Sequence, residues 1–131
     1  MPGFLLDTDS VSYALRGQGQ VAAHLLNHKP SQIHISSITL AELRYGAERK
    51  QSRKLQSLID VFVGAIAVLP FDAEAANRFG AVANALAVRG APIGEFDTLI
   101  AAHALAAKLT LVTNNTKHFV RVAGLKTENW I

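Results

Sequence analysis

The sequence predicts an α/β fold around a parallel sheet, and two observations predict it. Short apolar runs alternate with longer helical patterns, the order expected when each strand is followed by a crossover helix. Three lone carboxylates also stand where a strand gives way to a helix: Asp7 after Phe4-Leu5-Leu6, Glu42 after the run that starts at Ile33, and Asp97 in Gly94-Glu95-Phe96-Asp97-Thr98. In a parallel sheet such junctions gather at the carboxyl ends of the strands, where ligands bind.

Residues 4–7 read as the first strand, Ile33–Ser36 as the second, and residues 66–69, stopped by Pro70, as the third. Residues 110–113 (Thr-Leu-Val-Thr), rich in β-branched side chains, form the fourth, and a short fifth is expected at 125–127. A helical pair is expected near 9–16 and 19–28, broken at Gly17 and Gly19. A second pair covers 39–48 and 52–63. Asp72 reads as the N-cap of a long helix through Val88 that stops at Gly90. An alanine-rich helix over 97–108 should pack on the sheet.

At 131 residues the chain reads as one domain, 1–131, with enough sequence for a single core. Half the residues are apolar and 18% are charged, which excludes a disordered chain. The absence of cysteine excludes disulfides and thiolate metal sites and fits a reducing cytoplasm. The N-terminus shows no signal-peptide pattern, and the apolar stretch 61–69 is too short to span a bilayer, so a soluble cytoplasmic protein is expected. The net charge of +3 is uneven: Arg44, Arg49, Lys50, Arg53 and Lys54 lie together, opposed locally only by Glu48. Such a cluster suits a phosphate backbone, or is a solvated helical surface.

Three carboxylates brought together would repel by roughly 4 kcal/mol per pair at close range near a protein surface. A hard divalent cation such as Mg²⁺ would remove that repulsion. Each acid also has a plain structural reading. Thr39-Leu40-Ala41-Glu42 matches a capping box, and Asp97 could be an N-cap. Asp7, after three apolar residues, is harder to explain structurally. Thr8, Asp9 and Asn115 could complete a site, although Asn114 and Asn115 also suit a turn. The histidines are weaker candidates: His24 and His28 read as an exposed helical face, His103 as a packed core residue, and His118 as a rim residue or a cap.

Four ordered segments carry a family resemblance: Leu5-Leu6-Asp7-Thr8-Asp9, the run from Ser36 to Gly46, the run from Ile93 to Ala104, and Leu111-Val112-Thr113-Asn114-Asn115. Together they resemble the PIN-domain ribonucleases, within them the VapC toxins of bacterial toxin–antitoxin pairs, and the ending from Phe119 to Trp130 strengthens the likeness. The resemblance covers essentially the whole chain. It implies an α/β/α sandwich and an Mg²⁺- or Mn²⁺-dependent endoribonuclease, with Asp7, Glu42 and Asp97 as metal ligands and Thr8 and Asn115 orienting water or phosphate. Asn115 stands where many relatives carry a fourth Asp, which weakens the case for a second metal. Asp9 often appears as Asn in relatives, so its charge here could compensate.

The resemblance further implies hydrolysis leaving 5′-phosphate and 3′-hydroxyl ends, an RNA substrate such as a tRNA, a cognate VapB antitoxin that blocks the acidic site, and a homodimer. Residues 73–88 and the N-terminal apolar helices are candidate contact surfaces. Two rivals remain. Leu6-Asp7-Thr8-Asp9-Ser10-Val11 also resembles the opening motif of haloacid-dehalogenase-like phosphatases, but Asn114 and Asn115 stand where that fold needs paired acids. A non-catalytic binding module would reduce the carboxylates to helix caps.

Overall fold

The computed structural model describes residues 3–131. Five strands form one sheet: β1 (Phe4–Leu6), β2 (Ile33–Ser36), β3 (Ala67–Leu69), β4 (Thr110–Val112) and β5 (Thr127–Glu128). All neighbours pair in parallel, in the order β3-β2-β1-β4-β5. The chain thus builds outward from β1 on one side, then crosses to the other. The crevice at the carboxyl ends of β1 and β4, where the strand order reverses, is where ligands bind in such sheets.

Helices cover both faces. Helices α1 (Thr8–Leu15), α2 (Val21–Leu26), α3 (Ser37–Arg49) and α4 (Arg53–Ala65) supply one layer, while α5 (Ala73–Val88), α6 (Glu95–Ala107) and the short α7 (Thr116–Phe119) supply the other. The strands alternate between them: Phe4, Leu6 and Val112 join the first core, Leu5 and Leu111 the second. Burial on both faces explains why the strands read as apolar runs without polar alternation.

The third, fourth and fifth strands are shorter or shifted relative to the sequence reading. Ile66 instead caps the end of α4, and β5 starts at Thr127 and not at Leu125. The capping box that was the plain structural alternative for Glu42 is not formed. Ser36, the last residue of β2, is the N-cap of α3, its hydroxyl accepting the Ile38 amide at 3.0 Å. Two tandem serines allow the helix to start at once, which places Thr39 and Glu42 inside it. Asp97 is likewise not an N-cap. Gly94 holds that place with φ 98° and ψ 154°, a conformation that essentially only glycine adopts. Asp97 therefore lies in the first turn of α6. Asp72 does cap α5, accepting the Ala75 amide at 3.0 Å.

His24 and His28 do not form an exposed face. α2 ends at Leu26, and both rings stack on the buried Trp130 indole at centroid distances of 5.1 Å. The chain's end is thereby pinned across Phe4, 5.0 Å from Trp130.

Candidate active site

Asp7 sits at the end of β1, where its amide continues the β1–β4 ladder by donating to the Val112 carbonyl at 3.0 Å. Its side chain is buried, and Oδ1 accepts the Ser10 amide at 2.8 Å, capping α1. Burial pushes its pKa up. The Thr113 hydroxyl and Ser10 pull it back by hydrogen bonding, and the nearby Asp9 charge pushes it up again. Asp7 thus has both a structural and a chemical reading. One carboxylate oxygen serves the helix, and the group is held so that its charge is costly without a cation.

Glu42 lies on the second turn of α3 and is half-buried. Its Oε1 accepts the Thr8 hydroxyl at 2.5 Å, which ties the acid of α3 to the first residue of α1. Asp97, also half-buried, is the acid most affected by its neighbours. Its pKa is raised to about 6, first by burial, then by the charges of Asp7, Glu42 and Asp9, while His118 opposes the rise. Three elements distant in sequence therefore bring Asp7, Glu42 and Asp97 into one electrostatic field, with Asp9 at its edge.

Asn115 follows β4 as expected, but its amide is engaged with the His118 ring, Nδ2 lying 2.8 Å from Nδ1. The charge of His118 is felt at Asp97, which fits its reading as a residue at the rim. Thr113 and Ser10 are the polar residues that sequence reasoning missed. Thr113 Oγ1 accepts the Asn115 amide at 3.0 Å while its hydroxyl serves Asp7. Its signal was a β-branched hydroxyl at the end of the strand adjoining Asp7. Phe96, 54% exposed between Glu95 and Asp97, was also passed over. No local sequence pattern shows that exposure, so only the structure singles it out.

The basic cluster is only partly free. Arg44 pairs with Asp60 at 2.7 Å and donates to Gln56 at 2.8 Å, so the cluster is opposed by Asp60 as well as by Glu48. Asp60 is distant in sequence and meets Arg44 only when α3 and α4 pack as a hairpin. Arg49 reaches the Tyr45 hydroxyl at 3.5 Å. Lys50, Arg53 and Lys54 are exposed at the α3–α4 turn. A groove of about 140 Å³ runs beneath that turn, with Leu15, Leu43, Leu55 and Ile59 on its walls and Thr8, Glu42 and Lys50 at its rim.

A PIN-domain model matches residues 4–125. The chain belongs to the PIN-domain family. Full-length relatives of this PIN domain include the tRNA(fMet)-specific endonuclease VapC of Shigella flexneri, 43% identical over 129 residues covering 97% of each chain. Ribonuclease VapC2 of Rickettsia felis is 38% identical over 130 residues, again covering 97% of each. Among solved structures, VapBC2 from Rickettsia felis bound to a DNA fragment from their promoter superposes with a TM-score of 0.91 at 36% identity, over 98% of both chains. DNA-bound VapBC from Salmonella typhimurium gives 0.88 at 36% identity over 100% of both. The PIN fold accounts for the five-stranded parallel sheet flanked by helices, and the α/β/α sandwich is the one expected.

The donor set of this PIN domain fits a hard cation. The groups are carboxylate oxygens, and the part of the rise of Asp97 to about 6 that comes, after burial, from the charges of Asp7, Glu42 and Asp9 is what a divalent ion would cancel. Among the described residues no three His, Cys, Asp or Glu side chains are already drawn together as a cage. Glu42 is held by the Thr8 hydroxyl. No helix among the described residues is long and apolar enough to cross a membrane.

Proposed function

We propose that this PIN domain, residues 1–131, is the toxin of a VapBC-type pair: an Mg²⁺- or Mn²⁺-dependent endoribonuclease of the cytoplasm that cuts tRNA. The observation that carries the reading is the convergence of Asp7, Glu42 and Asp97 at the β1–β4 switch point, with Asp97 raised to about 6 by burial and by its acidic neighbours. Full-length relatives named as tRNA(fMet)-specific endonucleases support the substrate class.

Asp7, Glu42 and Asp97 would hold the ion. Bound there, it would supply positive charge against the phosphoryl oxygens and lower the pKa of a water. The chain's own part is positional. Thr113 and Ser10 hold Asp7 at the strand end, Thr8 holds Glu42, and the Asn115–His118 pair lines the side of the site where water or phosphate is oriented. Lys50, Arg53 and Lys54 offer ammonium and guanidinium groups to the RNA backbone, with Arg49 beside them and Arg44 supporting the α3–α4 hairpin. Because the reaction does not use the 2′-hydroxyl as nucleophile, preference for RNA must come from shape and splayed bases. Phe96 presents an aromatic face for such a base.

Such an enzyme needs restraint in its own cell. The groove beneath the α3–α4 turn leads from apolar walls to Glu42, and it suits an antitoxin segment that carries apolar side chains and ends in a cation at the acids. Solved VapBC assemblies of similar chains support the VapB partner. Homodimerisation through the outer surface of α5, where Val88 is 79% exposed, completes the reading. The test is expression in a bacterial host with sequencing of tRNA ends. Growth arrest with discrete tRNA cuts, lost in Asp7→Asn and relieved by the cognate antitoxin, is expected. Intact RNA during arrest, or arrest that survives Asp7→Asn, would contradict it.

A further inference from the structure

The buried histidine of α6 is a ring the mechanism leaves unused. His103 is 3% exposed, and its Nδ1 lies 2.8 Å from Ser36 Oγ, across 67 residues of sequence. Ser36 is the N-cap of α3, whose seventh residue counted from that cap is Glu42. His103 lies on α6, six residues beyond Asp97. Ser36 Oγ already accepts the Ile38 amide, so its hydroxyl hydrogen is free to be donated to a neutral imidazole. The ring is further held edge-on by Phe71, at 5.4 Å and 81°. The Phe71 amide in turn donates to Ser37 Oγ at 3.0 Å. Two tandem serines thus tie the start of α3 to α6 and to the β3–α5 connection.

We propose that His103 and Ser36 are a positioning pair that sets the separation of Glu42 from Asp97 and hence the fit of the site to its divalent cation. The inference rests on the metal-dependent nuclease reading above. α6 buries Ile100, Ala101, Ala102 and Ala104 in the core it shares with α5, so its apolar packing fixes it chiefly against α5 and much less against α3. No other side-chain hydrogen bond among the described residues joins α6 to α3 or its cap. Six helical residues span about 9 Å, so each acid stands at the end of a lever of that length from the linkage. A tilt of about 10° would carry a carboxylate about 1.5 Å, too far for an ion that demands ligand distances within a few tenths of an ångström.

His103→Leu keeps an apolar ring-sized group and removes the bond, while His103→Asn returns an amide atom near the position of Nδ1. His103→Gln reaches instead toward Nε2, on the side of the small cavity bounded by Pro70, Asp72 and Ala106. Mn²⁺ binding by the antitoxin-free chain, followed by electron paramagnetic resonance, would be measured alongside RNA cleavage and thermal melting. His103→Leu should weaken Mn²⁺ by about tenfold or more and lower the cleavage rate at subsaturating metal, as loss of an outer-shell partner does. His103→Asn should recover most of the affinity, and His103→Gln should not. Ser36→Ala should weaken Mn²⁺ as well, and combining it with His103→Leu should add nothing further, even though Ser36→Ala also costs a cap. A purely structural histidine would lower the melting temperature with Mn²⁺ affinity unchanged in the folded protein, which would overturn the proposal. So would Asn behaving as Leu, or a wild-type chain that binds no Mn²⁺. Mn²⁺ binding that follows this series in a chain that cuts no RNA would sustain the positioning pair and sink the nuclease reading.

Discussion

Asp97 is the residue whose environment most directly reports the site. Its carboxyl titrates near 6 when folded and at 3.8 as an unperturbed group, so between these values the folded state binds more protons than the unfolded one. Stability of the metal-free protein therefore falls as pH rises from about 4 through 6 and stays lowered above that. Asp97→Asn should raise the melting temperature of the metal-free chain at pH 8 and leave it nearly unchanged at pH 4, as thermal melts at both values would show. Saturating Mg²⁺ should narrow the difference at pH 8 by stabilising only the wild type. Thr113 gives a second test at this scale. Thr113→Val keeps the shape of the buried side chain but removes the hydroxyl that Asp7 uses. A loss of about 1 kcal/mol in stability and a larger fractional loss of cleavage at limiting Mg²⁺ are expected, from urea melts and metal titrations. Asp7, Glu42 and Asp97 stood out in sequence as lone acids near helix starts, yet only Asp7 stands at a strand–helix junction: Glu42 lies in the second turn of α3, and Asp97 follows a loop after α5 with no strand before it. Thr113 and Ser10 did not, because a hydroxyl near a strand end is ordinary until the acid it serves is placed beside it.

At the scale of elements, the start of α6 depends on one backbone conformation. A Cβ added at Gly94 would meet nothing within 4 Å, so Gly94→Ala is costly through its positive φ and not through crowding. A loss of about 1–3 kcal/mol is expected in chemical denaturation, together with a higher metal requirement as the first turn, which carries Asp97, shifts. The α3–α4 hairpin separates structural from functional charge. Arg44→Met should cost under about 1 kcal/mol, since its ion pair with Asp60 is exposed, and should change RNA affinity little. Replacing Lys50, Arg53 and Lys54 with glutamine should weaken RNA binding and flatten its salt dependence, read by fluorescence anisotropy across a salt series. Helix boundaries were the least legible feature. Thr39–Glu42 looked like a capping box because the motif is local, whereas tandem Ser36 and Ser37 start α3 a turn earlier through contacts with His103 and Phe71. The sequence distances of those contacts, 67 and 34 residues, put them beyond any local pattern.

For the whole molecule, the parallel sheet was legible because both of its faces are covered, which leaves near-continuous apolar strands. The strand order was not, since no strand names its neighbour. The reversal between β1 and β4 places Asp7, at the end of β1, beside the residues that follow β4. The end of the chain takes part in that architecture. Trp130, 1% exposed among Phe4, His24 and His28, closes the core beside β1, so Trp130→Ala should cost about 3–5 kcal/mol. The histidines looked like an exposed helical face because the side chain that covers them comes from the far end of the sequence.

On the function proposed above, the carboxylates at this switch point hold a divalent cation with which the chain hydrolyses RNA. Its most direct test is cleavage of purified tRNA by the antitoxin-free protein, with Mg²⁺, Mn²⁺ or EDTA, beside Asp97→Asn as a folded control. Discrete cuts that leave 5′-phosphate ends, require the metal and vanish in Asp97→Asn are predicted. Cuts that persist in EDTA or in the variant, or intact tRNA with a metal-loaded wild type, would rule out a metal-dependent nuclease at these acids.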